Sequence, residues 1–115
     1  MNKETSSKEP FIKVYDWMHK ELGLKGNELL IFALIYSFCN QEIDGTGKNK
    51  NCSASQKYMS DRIGLARQNI SIILKKLQDK GLIDIKTNRY SYNVSSNYYS
   101  VNFDKINMIK KDREI

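Results

Sequence analysis

The chain has 115 residues, of which 40% are hydrophobic and 28% charged, with a formal net charge of +6. That is one domain's worth of sequence with enough apolar side chains for a core, and it excludes collagen-like, low-complexity and compositionally disordered classes. Two cysteines and one histidine exclude a disulfide framework, a CxxC-type metal pair and most histidine-based metal or catalytic sets.

The charge is unevenly spread. Residues 1–45 hold five basic and seven acidic side chains, whereas residues 46–92 hold ten basic and three acidic ones. A basic half beside an acidic half suits a polyanion on one face. A lysine-rich solvated surface is the plainer account, so the order of elements has to decide.

The stretch from Met1 to Pro10 is polar, lacks the apolar core of a secretory signal, and reads as a disordered leader. The remainder, residues 11–115, reads as a single domain. From Phe11 to Leu22 the segment is amphiphilic: Val14, Trp17 and Met18 suit a helix, while Phe11-Ile-Lys-Val alternates like a strand. Leu22-Gly-Leu-Lys-Gly-Asn reads as a turn. The first long helix is expected from Asn27 to Asn40, with Asn27 as N-cap and Glu28 in the first turn. It is apolar on every side and must be covered all round, by the segment from Phe11 to Leu22 or by a second subunit. Its apolar run, Leu29 to Cys39, is eleven residues broken only by Ser37, against the ~20 that a membrane span needs. A soluble cytoplasmic protein, or a fragment of one, is therefore expected.

Gln41 to Asn51 reads as a loop. Ser53-Ala-Ser-Gln fits a capping box with Ser53 as cap and Gln56 at N3, opening a helix from Ser55 to Ile63 with Tyr58, Met59 and Ile63 inward. Gly64-Leu65 makes a sharp turn. The next helix runs from Arg67 to Lys80 and stops at Gly81, a residue suited to a left-handed position. Ile70, Ile73, Leu74 and Leu77 form its one apolar stripe. The period then changes to two: Leu82-Ile-Asp-Ile-Lys-Thr alternates, Asn88 to Ser96 is turn-rich, and Tyr99, Val101 and Phe103 alternate again. Which of Tyr98 and Tyr99 faces inward stays open. Asp104 would cap a last short helix from Lys105 to Lys111.

Two short helices joined by a glycine turn make a helix-turn-helix. With the run Ile63-Gly-Leu, Arg67, Ile70, Leu74, Leu77 and Lys80-Gly-Leu-Ile, followed by a hairpin, the sequence resembles the winged helix-turn-helix family over Gly26 to Phe103. The lead-in Phe11-Ile-Lys-Val-Tyr-Asp-Trp-Met with Leu24-Lys-Gly-Asn-Glu-Leu-Leu resembles small winged-helix proteins and replication-initiator N-terminal domains of bacterial phages and plasmids. The resemblance implies an α+β, mostly α fold: a three-helix core, a β-hairpin wing, an extra N-terminal segment and a short C-terminal helix. It implies a sequence-specific double-stranded DNA binder, either a transcription regulator or the DNA-binding domain of a replication initiator. One departure is that Ala66 stands where the family usually places Ser or Thr ahead of the recognition helix.

With the stripe of that helix turned inward, Gln68, Ile72, Lys75 and Asp79 point most nearly outward, Ser71 and Lys76 flank them, and Arg67 and Asn69 stand in the first turn. Arg pairs bidentately with guanine and Gln or Asn with adenine, Ser is promiscuous, and an apolar side chain meets the thymine methyl. Asp79 would repel phosphate and should lie where the helix leaves the groove. Ser53, Ser55 and Lys57 at the preceding helix start are phosphate-contact candidates. Lys86 and Arg89 in the wing are further contacts, and Tyr90 and Tyr92 could touch the backbone or minor groove. A homodimer is expected through Phe11 to Leu22 and the apolar helix Asn27 to Asn40. The competing function is a protein–protein interaction module, such as a replisome or regulatory scaffold, for which an outward Ile72 and the tyrosines also fit. No cofactor, metal, small-molecule substrate or membrane is indicated. Nor is an enzyme expected: His19 beside Glu21 is too little for catalysis, and Asp61, Asp79 and Asp84 show no paired spacing. Cys39 reads as a core residue. Cys52, beside a lysine-rich loop, reads as either a structural or a reactive thiol.

Overall fold

The computed structural model describes residues 11–43, 45–46, 48–91 and 94–113, and the leader expected at residues 1–10 lies outside them. The chain is extended up to Tyr15 and then forms helix α1, Asp16–Lys20. The segment whose type was open is thus extended first and helical second. His19 Nδ1–H donates to the Leu24 carbonyl at 3.1 Å, and Met18 and Leu24 are fully buried.

Helix α2, Gly26–Cys39, starts one residue earlier than expected. Its first hydrogen bond runs from the Leu29 N–H to the Lys25 carbonyl at 3.3 Å. Lys25 is therefore the N-cap, and Asn27 lies inside the first turn and caps nothing. Every residue from Ile31 to Ile35 is buried, as is Cys39. The cover comes from the chain itself. Trp17 stacks edge-on against Tyr36 with ring centroids 5.2 Å apart and against Phe32 at 6.3 Å. Phe103 reaches Tyr36 at 5.8 Å. Leu29, Leu30, Tyr36 and Phe38 of this helix remain half-buried.

The segment read as a loop holds a two-rung antiparallel hairpin, β1 (Glu42–Ile43) with β2 (Lys48–Asn49). Helix α3, Gln56–Ile63, is capped by Ser55, whose Oγ accepts from the Tyr58 N–H at 3.0 Å. The cap is thus not Ser53. Just before Ser53, Cys52 pairs with Tyr99 as an isolated β-bridge. Within α3, Met59 is buried, but Tyr58 is exposed instead of facing inward. Its ring sits edge-on to Phe38 at 6.2 Å, and its hydroxyl accepts from Arg62 Nη1 at 2.8 Å. Gly64 ends the helix at φ +85°, a left-handed geometry that a Cβ disfavours.

Helix α4, Arg67–Asp79, buries Ile70, Leu74 and Leu77, with Ile73 packed at the edge of the core. Gly81 follows at φ +76°, the left-handed exit expected there. The wing is an antiparallel pair, β3 (Ile83–Ser91) and β4 (Val94–Val101), with Ile83 opposite Val101, Ile85 opposite Tyr99 and Lys86 opposite Tyr98. Tyr99 is the inward tyrosine, fully buried. Helix α5, Phe103–Arg113, is capped by Asn102, whose Oδ1 accepts from the Lys105 N–H at 3.1 Å. Asp104, the expected cap, falls in the first turn. An ion pair of 2.9 Å between Lys80 Nζ and Glu28 Oε2 ties the end of α4 to the start of α2. The order helix, helix, turn, helix, hairpin is a winged helix-turn-helix, mostly helical with small antiparallel sheets.

Candidate nucleic-acid interface

The apolar stripe of α4 fixes which of its side chains remain outside. With Ile70, Leu74 and Leu77 inward, Arg67, Gln68, Asn69, Ser71, Ile72, Lys75, Lys76 and Asp79 are all exposed. The helical arithmetic of 100° per residue thus holds along the whole element. No side chain caps the α4 start: Ala66 occupies the N-cap in an extended conformation without a side-chain bond. Ser60 Oγ instead donates to the Leu65 carbonyl and tightens the turn between the two helices.

Two clefts flank this face. One, of about 350 Å³, is lined by Ser53, Ser55 and Gln56 at the α3 start, Arg67 at the α4 start, and Ser96, Asn97 and Tyr99 of β4. The other, of about 170 Å³, lies between α4 and the wing, with Ser71, Lys75 and Gln78 on one wall and Ile85, Asn97 and Tyr99 on the other. Ser53, Ser55, Arg67, Ser71 and Lys75 therefore converge on one side of the molecule. The wing supplies Asn97, whose Oδ1 accepts from Thr87 Oγ1 at 2.8 Å. Gln56, Gln78, Thr87 and Asn97 were missed by reading the sequence. Asn97 was findable: it lies two residues before Tyr99, so once Tyr99 faces inward Asn97 continues that face past the core.

The other candidates are placed differently. Lys57 is exposed on α3 and pairs with Asp61 at 3.1 Å, one turn along. Lys86 stands opposite Tyr98, on the strand face away from Ile85 and Tyr99, and so does not join the clefts. For Arg89 and Tyr90 only the backbone is described, and Tyr92 lies outside the described residues. Among the described residues, Arg67, Lys75 and Lys76 make no ion pair, and no group of three or more His, Cys, Asp or Glu side chains is gathered for a metal ion.

Cys52 is not a reactive thiol. It is fully buried, and burial pushes its thiol above the ordinary value. Cys39, also buried, is pushed up to about 11, first by burial and then by the neighbouring Cys52. Its Sγ donates to the Tyr99 carbonyl at 3.5 Å. Both sulfurs are core groups behind the wing. No described helix is long and apolar enough to cross a membrane.

Comparisons with known proteins agree with this architecture. No curated protein matches the sequence. Among solved structures, one described as the N-terminal domain of a DNA binding protein superposes with a TM-score of 0.57 at 15% identity, covering 100% of this chain and 95% of the other. A second, described as the structure of a Rep–DNA complex, gives 0.54 at 16% identity, covering 100% and 96%. At such identities the likeness is one of fold. A family model of the Crp-like helix-turn-helix domain matches residues 30–94, more than half of the sequence, running from α2 into the wing. The chain belongs to the Crp-like helix-turn-helix domain family.

Proposed function

We propose that this protein binds double-stranded DNA in a sequence-specific manner, with α4 in the major groove and the α3 start and the wing against the phosphates. The observation that carries this reading is the outer face of α4: exposed from Arg67 to Asp79, rich in side chains that pair with base edges, and set beside two clefts. An α-helix fits the major groove, and residues near its N-terminus reach base edges. Arg67, Gln68, Asn69 and Ser71 occupy that end. Ser53, Ser55, Lys57, Lys75 and Lys76 serve as backbone contacts, which position the protein without reading sequence. Lys86 and Arg89 are peripheral backbone contacts from the wing. The description of one structural neighbour as a protein–DNA complex supports the reading.

The role is that of a transcription regulator or of the DNA-binding domain of a replication initiator, carried by a phage or plasmid and working in the cytoplasm. Residues 11–115 act as one winged-helix unit without enzymatic activity. Two copies pair through the segment Phe11 to Leu22 and the apolar helix Asn27 to Asn40, where Phe11 and Val14 are exposed beside a cleft of about 240 Å³ lined by Phe11, Tyr15 and Tyr36. Pairing would place two α4 helices one helical turn of DNA apart, ~34 Å.

Selection from random duplexes at two salt concentrations tests the proposal. Convergence on one motif at both concentrations is expected, with Arg67→Ala and Gln68→Ala each costing ~1–3 kcal/mol and relaxing one position. Enrichment without a motif, vanishing as salt rises, would mean charge attraction alone. Binding to proteins that persists at high salt, with no affinity for duplex, would mean an interaction module.

A further inference from the structure

Ile72 has no structural occupation. It is 55% exposed, and it belongs neither to the buried core nor to the side chains packed against that core. Its neighbours on the outer face of α4, Gln68, Ser71, Lys75, Lys76 and Asp79, are all polar and exposed. Helix propensity does not account for it either, because a β-branched residue is a poorer helix former than the Lys, Gln or Ala that would serve on a solvated face.

On the duplex-binding reading above, we infer that Ile72 recognises the 5-methyl group of a thymine, so that the bound half-site carries an A·T pair facing the middle of α4. Thymine alone presents an apolar group in the major groove. The other bases present only donors and acceptors there, which an isoleucine would desolvate without pairing. Position adds a constraint. Ile72 follows Gln68 by four residues, ~6 Å along the helix axis, and base steps are ~3.4 Å apart. If Gln68 pairs with an adenine, the thymine met by Ile72 lies about two steps away.

The test uses the full chain and the duplex that it selects. Each thymine is replaced in turn by uracil, which removes the methyl and keeps the base pairing. One position per half-site should weaken the wild-type protein about fourfold, the worth of one buried methyl-sized group. The Ile72→Ala variant should bind thymine and uracil equally at that same position. Uracil tolerated at every position, or the same loss in wild type and Ile72→Ala, overturns the assignment while leaving duplex recognition intact. Failure of the wild-type protein to select any duplex overturns the duplex reading, and this assignment with it.

Discussion

Cys52 and Tyr99 exchange a reciprocal pair of backbone hydrogen bonds, from Cys52 N–H to the Tyr99 carbonyl at 2.7 Å and from Tyr99 N–H to the Cys52 carbonyl at 2.8 Å. The same Tyr99 carbonyl also accepts from Cys39 Sγ. One residue of the wing thus fastens the end of α2, the lead-in to α3 and the hairpin itself. Its ring is buried, and its hydroxyl meets the side chains of Asn97 and Gln56 in the cleft.

Tyr99→Ala should therefore be severe. Truncating a buried aromatic costs ~3–5 kcal/mol, and the loss should appear in urea unfolding as a lower midpoint. Tyr99→Phe keeps the packing and removes only the hydroxyl. It should cost ~1 kcal/mol and leave the fold intact.

The two helix starts of the helix-turn-helix differ in their caps, and the difference is measurable. Ser55→Ala removes the side-chain acceptor of the Tyr58 N–H and should destabilise by ~1 kcal/mol. Ala66→Ser supplies the missing acceptor at a position that is already extended, with φ −63° and ψ 148°. It should raise stability by ~0.5–2 kcal/mol, read as a higher thermal midpoint.

The buried thiols make stability fall in alkali. Cys39 ionises near 11 in the folded protein, above its ordinary value of 9.0, because burial disfavours the thiolate. Its folded value is the raised one, so the stabilisation is fully present below about pH 9 and is lost as pH climbs toward 11. Two pH units correspond to about 3 kcal/mol at most. Urea midpoints at pH 8 and pH 10.5 should differ, and Cys39→Ala should narrow the gap. Iodoacetamide should modify neither thiol before unfolding.

The phosphate contacts are checked by salt. If ~4 phosphates are neutralised per subunit, the log–log slope should be about −3.6. Lys75→Ala should weaken all duplexes about equally and reduce the slope by about 1. Asp61→Asn releases Lys57 from its ion pair and should strengthen binding to every duplex at low salt.

Periodicity made much of the fold legible, although it also turned Tyr58 inward and ran Phe103 on as a strand residue, where the structure exposes the first and opens α5 with the second. The stripe Ile70, Ile73, Leu74, Leu77 placed the outer face of α4, and the change of period after Gly81 placed the wing. Features set by distant pairing were not legible. Two serines, Ser53 and Ser55, competed for one cap, and the local pattern does not separate them; the structure places Ser55 there. The rungs Glu42 with Asn49 and Ile43 with Lys48 are too short to leave a local pattern, and turn glycines masked them. Asn102 took the cap expected of Asp104, with its own N–H held by the Leu82 carbonyl at 2.9 Å. In the candidate site, the outer face of α4 was readable, whereas the pairing of Asn97 with Thr87 became visible only with the strand register.

The knot at Tyr99 also bears on timing. The hairpin, the end of α2 and the lead-in to α3 share one buried anchor, so on the proposed duplex-binding reading the wing is held in place before any partner arrives, and little ordering remains to be done on contact. Encounter should then be comparably quick for matched and mismatched partners, with discrimination showing up as residence time.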